Sequence, residues 1–334
     1  MRKISGQAVY VAVVLLVSVA VLSYAIWPEA HAGPRRLTLR DIPFNGTRAY
    51  SYLRQACGFG PRPSGSKAMS LQRQWLAEHF KSLGAEVSLQ SFTVRHPLDG
   101  SAVPMANVVA RWHPDRPRRV FFCAHYDTRP FPDRDPHNRR GKFVGANDGA
   151  SGVAVLMELA KRFSALKGEM GVDVVLFDGE EFMFEERGEY FLGSTHFARE
   201  YVAEPPAVPY EWGVLLDMVG DSNLRLYQEE NSVTWTDTRP LVQEIWGLAR
   251  RLGVHDFIDR TGPNVRDDHL PLHEIAKLSV CDIIDFDYPF WHTQQDSPEH
   301  CSALSLAKVG WVLQEWLERT AVPQAPADTG GGGR

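Results

Sequence analysis

The chain has 334 residues, of which 44% are hydrophobic and 23% are charged, and its formal net charge is −5. This composition is typical of a folded protein and argues against intrinsic disorder. Because the net charge is slightly negative, it offers no support for nucleic-acid binding, and we expect no nucleic-acid partner. The length suits one large α/β domain, and we expect a monomer.

The N-terminus has the features of an export signal. Basic Arg2 and Lys3 precede a continuous apolar run over residues 8–27, and Ala30-His31-Ala32 has the small-x-small form of a cleavage site. The run is also long enough to cross the roughly 30 Å of hydrocarbon in a bilayer. We therefore predict that residues 1–32 form a signal peptide or a membrane anchor. In both cases the rest of the chain is periplasmic or extracellular, and it meets the membrane only through this segment.

After this segment we predict a linker over residues 33–45, one folded α/β domain over residues 46–320, and a tail over residues 321–334. The tail sequence, PQAPADTGGGGR, has few apolar residues and is expected to be disordered. The four cysteines, at positions 57, 123, 281 and 301, form no C-x-x-C pair, so neither a zinc ribbon nor a redox motif is indicated. Cys123 and Cys281 lie in apolar runs and are expected to be buried thiols.

Periodic patterns within the domain alternate between helices and strands. Helical spacing is found over residues 70–84, 151–163, 239–252 and 303–317. Short apolar runs predict strands over residues 106–112, 118–127, 172–178, 212–220 and 278–286. Strands that are apolar on both faces and alternate with helices indicate a mixed, mostly parallel central sheet in a three-layer α/β/α sandwich.

Charged side chains collect where the predicted strands end. They are His125 and Asp127, then Asp178, Glu180 and Glu181, then Asp217, and finally His292; Asp148 precedes a predicted helix. Taken singly, each has an ordinary explanation, such as a solvated turn, a helix cap or a core histidine. Because parallel strands deliver their carboxyl ends to one edge of a sheet, we expect these residues to converge. Carboxylates and imidazoles together indicate a site for zinc or a similar divalent ion.

Several motifs carry a family resemblance. The segments HYD, GANDGASG, FDGEEF, FLGSTHFA, LLDMVG and WHT, in this order and at these intervals, resemble the zinc aminopeptidase superfamily, which includes glutaminyl cyclases. The resemblance covers about residues 58–317, and GPRPSGS at residues 60–66 is similar to an early motif of the superfamily. It implies a catalytic domain in which Asp148, Glu181 and His292 bind zinc and Glu180 is the acid and base.

Two reaction classes share such a site. In a dinuclear aminopeptidase, His125 and Asp217 would hold a second metal ion, Asp148 would bridge, and Glu180 would activate a water. In a glutaminyl cyclase there is one zinc ion per chain, and the α-amine of an N-terminal glutamine attacks its own γ-amide. The products are ammonia and a peptide or protein that begins with pyroglutamate.

The segment RDDHLPL favours the cyclase, with the aminopeptidase as the alternative. It resembles the D-D-H-x-P segment of glutaminyl cyclases, in which Asp267 would join a catalytic proton network with Glu180 and Asp217. Trp291, directly before the zinc histidine, also favours the cyclase. The aromatic residues Trp291, Phe290 and Tyr288 are candidates for the wall of the substrate pocket.

The sequence also departs from the animal glutaminyl cyclases. Arg266 stands where they carry glutamine, and the charged run Glu185-Glu186-Arg187 stands where they carry an aromatic residue. Cys123 is displaced by one position from their first disulfide cysteine, and no cysteine closely follows Asp148. We therefore expect a different substrate preference. A related receptor with a decayed site is disfavoured, because every ligand position is filled.

Overall fold

The computed structural model describes residues 36–322, which contain ten strands and eight α-helices. The strands are β1 Glu86–Arg95, β2 Ala102–Trp112, β3 Arg118–His125, β4 Met170–Phe177, β5 Glu181–Phe184, β6 Arg187–Tyr190, β7 Trp212–Asp217, β8 Leu226–Gln228, β9 Phe257–Thr261 and β10 Val280–Ile284. The helices are α1 Gly46–Gly58, α2 Lys67–Ser82, α3 Ser151–Leu159, α4 Leu192–Ala203, α5 Glu230–Thr234, α6 Arg239–Leu252, α7 His269–Ala276 and α8 Ala303–Ala321.

Six strands form the central sheet in the order β1-β2-β4-β3-β7-β10. The pairs β4-β3, β3-β7 and β7-β10 are parallel, whereas β1-β2 and β2-β4 are antiparallel. Two smaller pairs, β5-β6 and β8-β9, lie outside this sheet. The carboxyl ends of β4, β3 and β7 are therefore neighbours at one edge of the sheet.

Neighbouring side chains of β3 show how the sheet is covered. Phe121 packs against Phe197 of α4, with ring centroids 6.2 Å apart, while Phe122 packs against Trp316 of α8, at 5.8 Å. Because successive residues of a strand face opposite sides, helices cover both faces of the sheet. This confirms the predicted three-layer α/β/α sandwich with a mostly parallel sheet.

The five predicted strands are β2, β3, β4, β7 and β10, and they were predictable because the central ones are buried on both faces. Every residue of β4 is buried, which is the burial that a continuous apolar run indicates. Strand β1 was missed because it is an edge strand in which half-buried and exposed residues alternate. The predicted helix over residues 151–163 ends as an α-helix at Leu159 and continues as a 3₁₀-helix over Ala160–Ala165.

Residues 38–322 belong to one compact unit. Helix α1 begins directly after Asn45, whose side chain accepts a hydrogen bond from the Arg48 backbone, and α8 continues to Ala321. Cys123 and Cys281 are buried thiols. The predicted signal or anchor, and the tail beyond residue 322, lie outside the described residues. Within residues 36–322, no helix combines the length and apolar character needed to span a membrane.

Candidate metal centre and active site

The first residues of the site lie at the carboxyl ends of three neighbouring parallel strands. Strand β3 ends at His125, β7 ends at Asp217, and β4 ends at Phe177, just before the segment that contains Glu180 and Glu181. Since these strands are adjacent in the order β4-β3-β7, their last residues meet at one edge of the sheet. The expected convergence of the charged strand ends is therefore seen in the structure.

The turn after β4 directs the side chains of Glu180 and Glu181 toward this edge of the sheet. Asp178 is fully buried and belongs to the turn itself, because its carboxylate accepts hydrogen bonds from the Ser64 hydroxyl at 2.6 Å and the Ala106 backbone at 2.9 Å. Gly179 has a φ of +79°, a conformation that side-chain-bearing residues rarely adopt. The turn thus separates a structural carboxylate from two that face the site.

A buried aspartate of the HYD motif fixes the backbone of the two glutamates. The Asp127 carboxylate accepts hydrogen bonds from the backbone N–H of Glu180 at 3.1 Å and of Glu181 at 3.2 Å. The sequence placed Asp127 at the strand end but assigned it no role. Its presence in the motif was the available signal, whereas its partners depend on how the turn after β4 folds.

Asp148, Glu181 and His292 come together in the structure. The Nε2 atom of His292 lies 2.8 Å from Oε1 of Glu181 and 3.6 Å from Oδ2 of Asp148. One ligand atom from each residue lies within 4.8 Å of the others, and all three side chains are buried. His292 has a φ of +56°, so its backbone is held in a strained, left-handed conformation at the site.

The chemistry of these three residues fits a divalent metal ion. The Oδ2 atom of Asp148 is buried and has no hydrogen-bond partner within residues 36–322. Burial and the charge of Glu181 raise the pKa of Asp148 to about 7. Burial alone would lower the pKa of His292, but Glu181 and Asp133 raise it to about 9. Two carboxylates and an imidazole that converge in this way match the oxygen and nitrogen donors that zinc takes.

A second group of donors adjoins the first. Nε2 of His125 lies 3.2 Å from Oδ1 of Asp148 and 3.2 Å from Oδ1 of Asp217. These three residues also satisfy the geometry of a metal-binding group. Burial would lower the pKa of His125, yet hydrogen bonds to Asp127, Asp148 and Asp217 raise it well above its usual value. The geometry therefore allows a second ion next to the first.

Glu180 and Asp267 are buried carboxyl groups beside the candidate metal ligands. Burial, together with the charges of Glu181 and Asp267, raises the pKa of Glu180 well above the usual glutamate value, although His125 opposes this shift. Burial and the charge of Asp217 likewise raise the pKa of Asp267. Its Oδ1 atom accepts a hydrogen bond from the Asp268 backbone, and its Oδ2 atom has no such partner in the described structure. Both groups therefore keep a proton to a higher pH than an exposed carboxyl group does.

Two further buried residues, to which the sequence analysis assigned no role, support the loop that carries Asp148. Asp296 accepts hydrogen bonds from the backbone N–H of Asn147 at 2.8 Å and of Asp148 at 3.1 Å. Arg62, within GPRPSGS, is fully buried and donates to the carbonyl oxygens of Val144 at 2.8 Å and Gly145 at 3.0 Å. The early motif thus has a structural role next to the candidate metal centre.

A cavity of about 670 Å³ opens over these residues. Its lining includes Trp291, with the Arg134 guanidinium 3.9 Å above the ring, and it includes the unusual residues Arg266 and Glu186. Tyr288 and Phe290 are not part of the lining. The Tyr288 hydroxyl donates to Asp296 at 2.9 Å, and the Phe290 ring packs against Tyr288.

Comparison with known proteins agrees with the fold and with these motifs. Residues 107–317 match peptidase family M28. The crystal structure of Fimbriiglobus ruber glutaminyl cyclase superposes with a TM-score of 0.78 and 39% identity, covering 85% of this chain and 97% of that one. A glutaminyl-peptide cyclotransferase of Drosophila melanogaster is 26% identical over 260 residues, covering 71% of each chain. A Zn-dependent exopeptidase from Parabacteroides distasonis superposes with a TM-score of 0.75 and 31% identity, covering 82% and 98%.

A three-layer α/β/α sandwich with buried carboxylates and imidazoles at the strand ends is the architecture of a zinc aminopeptidase-like enzyme. The chain belongs to peptidase family M28, on the glutaminyl cyclase branch of this superfamily.

Proposed function

We propose that the protein is a zinc-dependent glutaminyl-peptide cyclotransferase, which converts the N-terminal glutamine of peptides or proteins to pyroglutamate and releases ammonia. The observation that carries this proposal is that Glu180 and Asp267 line the same cavity as the donors Asp148, Glu181 and His292. Two buried proton-holding groups beside three ligands suit a reaction that moves one proton within the substrate. The similarity to glutaminyl cyclases over most of the chain supports the same conclusion.

Asp148, Glu181 and His292 would hold one zinc ion per chain. The donor set and the similarity to a Zn-dependent exopeptidase support zinc as the metal. When bound, zinc supplies a Lewis acid that polarises the γ-amide carbonyl of the substrate. The side chains of all three ligands are buried, so few other groups compete with the substrate for this centre.

Glu180 carries the proton in this account. Cyclisation forms a bond between the α-amino nitrogen and the γ-amide carbon and breaks the bond from that carbon to the amide nitrogen. The attacking amine loses one proton and the departing nitrogen gains one, so a single group can carry both transfers. Glu180 lines the cavity directly beside the ligand Glu181 and is placed to accept the first proton and donate it to the leaving ammonia.

Asp267 would assist as a second proton-holding group, together with the carboxylate of Asp217. Both line the cavity, and the charge of Asp217 raises the pKa of Asp267. In its protonated form Asp267 can donate a hydrogen bond to the substrate. This pair would orient the amine, while Trp291 would provide an apolar wall for the glutamine side chain.

A zinc aminopeptidase is the second candidate. It is favoured by one observation, the meeting of His125, Asp148 and Asp217, which could hold a second ion. In that case Glu180 would activate a water against the first peptide bond. The cyclase is preferred because it uses Asp267, a buried residue of the cavity that the aminopeptidase account leaves without a role.

The proposal includes export of the catalytic domain, which acts outside the cytoplasm as a monomer. Export is supported by the basic, apolar and small-residue pattern of residues 1–32. Extracellular or periplasmic peptides and protein N-termini would then be the substrates. Antibody detection in membrane, periplasmic and medium fractions would test it, and a purely cytoplasmic full-length protein would contradict it.

One incubation separates the two candidate functions. A peptide with N-terminal glutamine and a leucyl amide are given to the enzyme together, and the products are identified by mass spectrometry. The cyclase account predicts a pyroglutamyl peptide, free ammonia and intact leucyl amide. Free leucine without lactam would reject the cyclase and leave the metal centre as that of a peptidase.

A further inference from the structure

A buried arginine lies beside the candidate metal ligands, in the loop after β3. The Arg129 side chain is 4% exposed, and its backbone N–H donates to Oε2 of Glu181 at 2.9 Å. Its Nη2 atom donates to Oδ2 of Asp133 at 2.6 Å and to the Tyr190 hydroxyl at 3.1 Å. Its Nη1 atom lies 3.5 Å from Oε1 of Glu181. One residue thus contacts a metal ligand, an aspartate and the β5-β6 hairpin.

The other oxygen of Asp133 faces the candidate ligand His292. Oδ1 of Asp133 lies 3.1 Å from Nδ1 of His292 and is a buried atom without another partner in the described part of the chain. A proton on Nδ1 that faces this carboxylate leaves the Nε2 lone pair directed toward Glu181 and Asp148. That tautomer is the one a metal ion requires.

The same loop also holds the backbone of His292. The backbone N–H of Arg134 donates to the carbonyl oxygen of His292 at 3.1 Å. Because His292 occupies a left-handed conformation, its ring direction depends on contacts from outside its own turn. Residues 129–134 provide such contacts to both its ring and its backbone.

We propose that Asp133, held by Arg129, is a positioning residue that orients His292 for zinc, and that Arg129 fixes Glu181 in the same array. The proposal rests on the metal site of the proposed function and is independent of which reaction occurs there. Carboxylates that hold the second nitrogen of a metal-binding histidine raise its basicity and fix its ring, and their loss typically weakens metal binding by roughly 10- to 100-fold.

The variants Asp133→Asn and Arg129→Lys test this array. Asp133→Asn keeps the shape of the side chain and removes the negative charge that faces His292. Arg129→Lys keeps the positive charge and removes the planar guanidinium, which can donate to two partners at once. Metal-free protein is titrated with zinc alone in competition with a chromophoric chelator, and the visible spectrum of the cobalt(II)-substituted protein is recorded. Both readouts report on the ligands without requiring catalysis.

A second buried pair, remote from the metal ligands, provides matched controls. Arg119 is 5% exposed and forms an ion pair with the fully buried Asp173. The variants Asp173→Asn and Arg119→Lys therefore repeat the same chemical changes away from the site. They should lower thermal stability but leave the zinc affinity and the cobalt spectrum unchanged.

We expect Asp133→Asn to weaken zinc binding by roughly 10- to 100-fold and to shift the cobalt spectrum. Arg129→Lys should weaken it less, and the double variant should resemble Asp133→Asn alone, because both changes disrupt one array. A folded Asp133→Asn protein with wild-type zinc affinity and spectrum would overturn the proposal, as would equal losses in the Asp173→Asn control. If Asp133→Asn does not fold, unchanged zinc affinity in Arg129→Lys overturns it. A peptidase result in the substrate test would leave these outcomes unaffected.

Discussion

Nε2 of His292 lies 2.8 Å from Oε1 of Glu181, although one residue follows β10 and the other follows β4. The two side chains are buried next to Asp148. An imidazole nitrogen and a carboxylate oxygen at this distance both present lone pairs, so the contact is costly unless a proton or a metal ion lies between the two atoms. The contact therefore identifies a position that suits a proton or a metal ion.

The metal content separates a mononuclear from a dinuclear centre. Protein purified with zinc should contain close to one ion per chain, and His292→Ala should remove it because one of three protein ligands is lost. His125→Ala should retain the ion, since in the mononuclear site His125 contacts Asp148 and Asp217 without binding metal. Metal analysis by mass spectrometry reads both outcomes. Two tightly bound ions in the wild type, one of them lost in His125→Ala, would favour the aminopeptidase.

Glu180→Gln tests the proton carrier. The change preserves shape but prevents proton exchange, so kcat for cyclisation should fall by roughly 10² to 10⁴. Zinc content and thermal stability should remain close to those of the wild type. Glu78→Gln, an exposed change on α2, serves as the control and should leave kcat unchanged. Full activity in Glu180→Gln would transfer the role to another group, with Asp267 as the next residue to test.

The variant Asp127→Asn tests what holds the backbone of Glu180 and Glu181 in position. The Asp127 carboxylate accepts one backbone hydrogen bond from Glu180 and one from Glu181. An amide can accept only one of them and presents its NH₂ group to the other donor. Displacement of the reacting groups should lower kcat by roughly 10- to 100-fold. The exposed change Asp99→Asn is the comparison, and equal kinetics for both variants would show that Asp127 has no such role.

Glu229 provides a prediction about stability and pH. Burial would raise its pKa, but His269, whose Nε2 lies 3.4 Å from Oε2 of Glu229, and the backbone N–H groups of Ser232 and Asn231 lower it to about 2. Because the folded pKa lies below the unfolded value near 4.3, the ionised group stabilises the fold above that value. This contribution, about 3 kcal/mol, is lost as the pH falls from about 4 toward 2.

Glu229→Gln should therefore reduce the free energy of unfolding at pH 7 by roughly 3 kcal/mol, and the difference from wild type should shrink toward pH 2. Urea denaturation across this range measures the difference. The exposed change Glu244→Gln, on α6, should have little effect at any pH. A difference between Glu229→Gln and wild type that stays constant with pH would show that ionisation is not its source.

The fold was predictable because burial determines composition in this sheet. Strand β4 is buried along its whole length, so its sequence is apolar on both faces apart from Asp173, which pairs with Arg119, and the acidic residues of the site follow Phe177. The same reasoning predicted that His125, Glu180 and Asp217 would meet, because parallel strands end together. Their roles, and the binding of zinc, stay predictions that the experiments above address.

Other parts of the site depended on loops, which no periodic pattern describes. Asp133 faces His292 only because the loop after β3 folds back across the turn after β10. Tyr288 was predicted as a candidate pocket wall from its aromatic character, but its hydroxyl donates to the buried Asp296. Both outcomes depend on contacts between segments far apart in sequence, for which residue type is a weak guide.

The most direct test of the central claim asks whether the attacking group is the amine of the substrate or a water molecule. A peptide whose N-terminal glutamine carries nitrogen-15 in the side-chain amide is incubated with the enzyme in water enriched in oxygen-18. The account predicts labelled ammonia and a pyroglutamyl peptide that contains no oxygen from the solvent, because the bond to carbon is made by the α-amine. A released amino acid or a glutamyl peptide that carries solvent oxygen would contradict it, because water would then be the nucleophile.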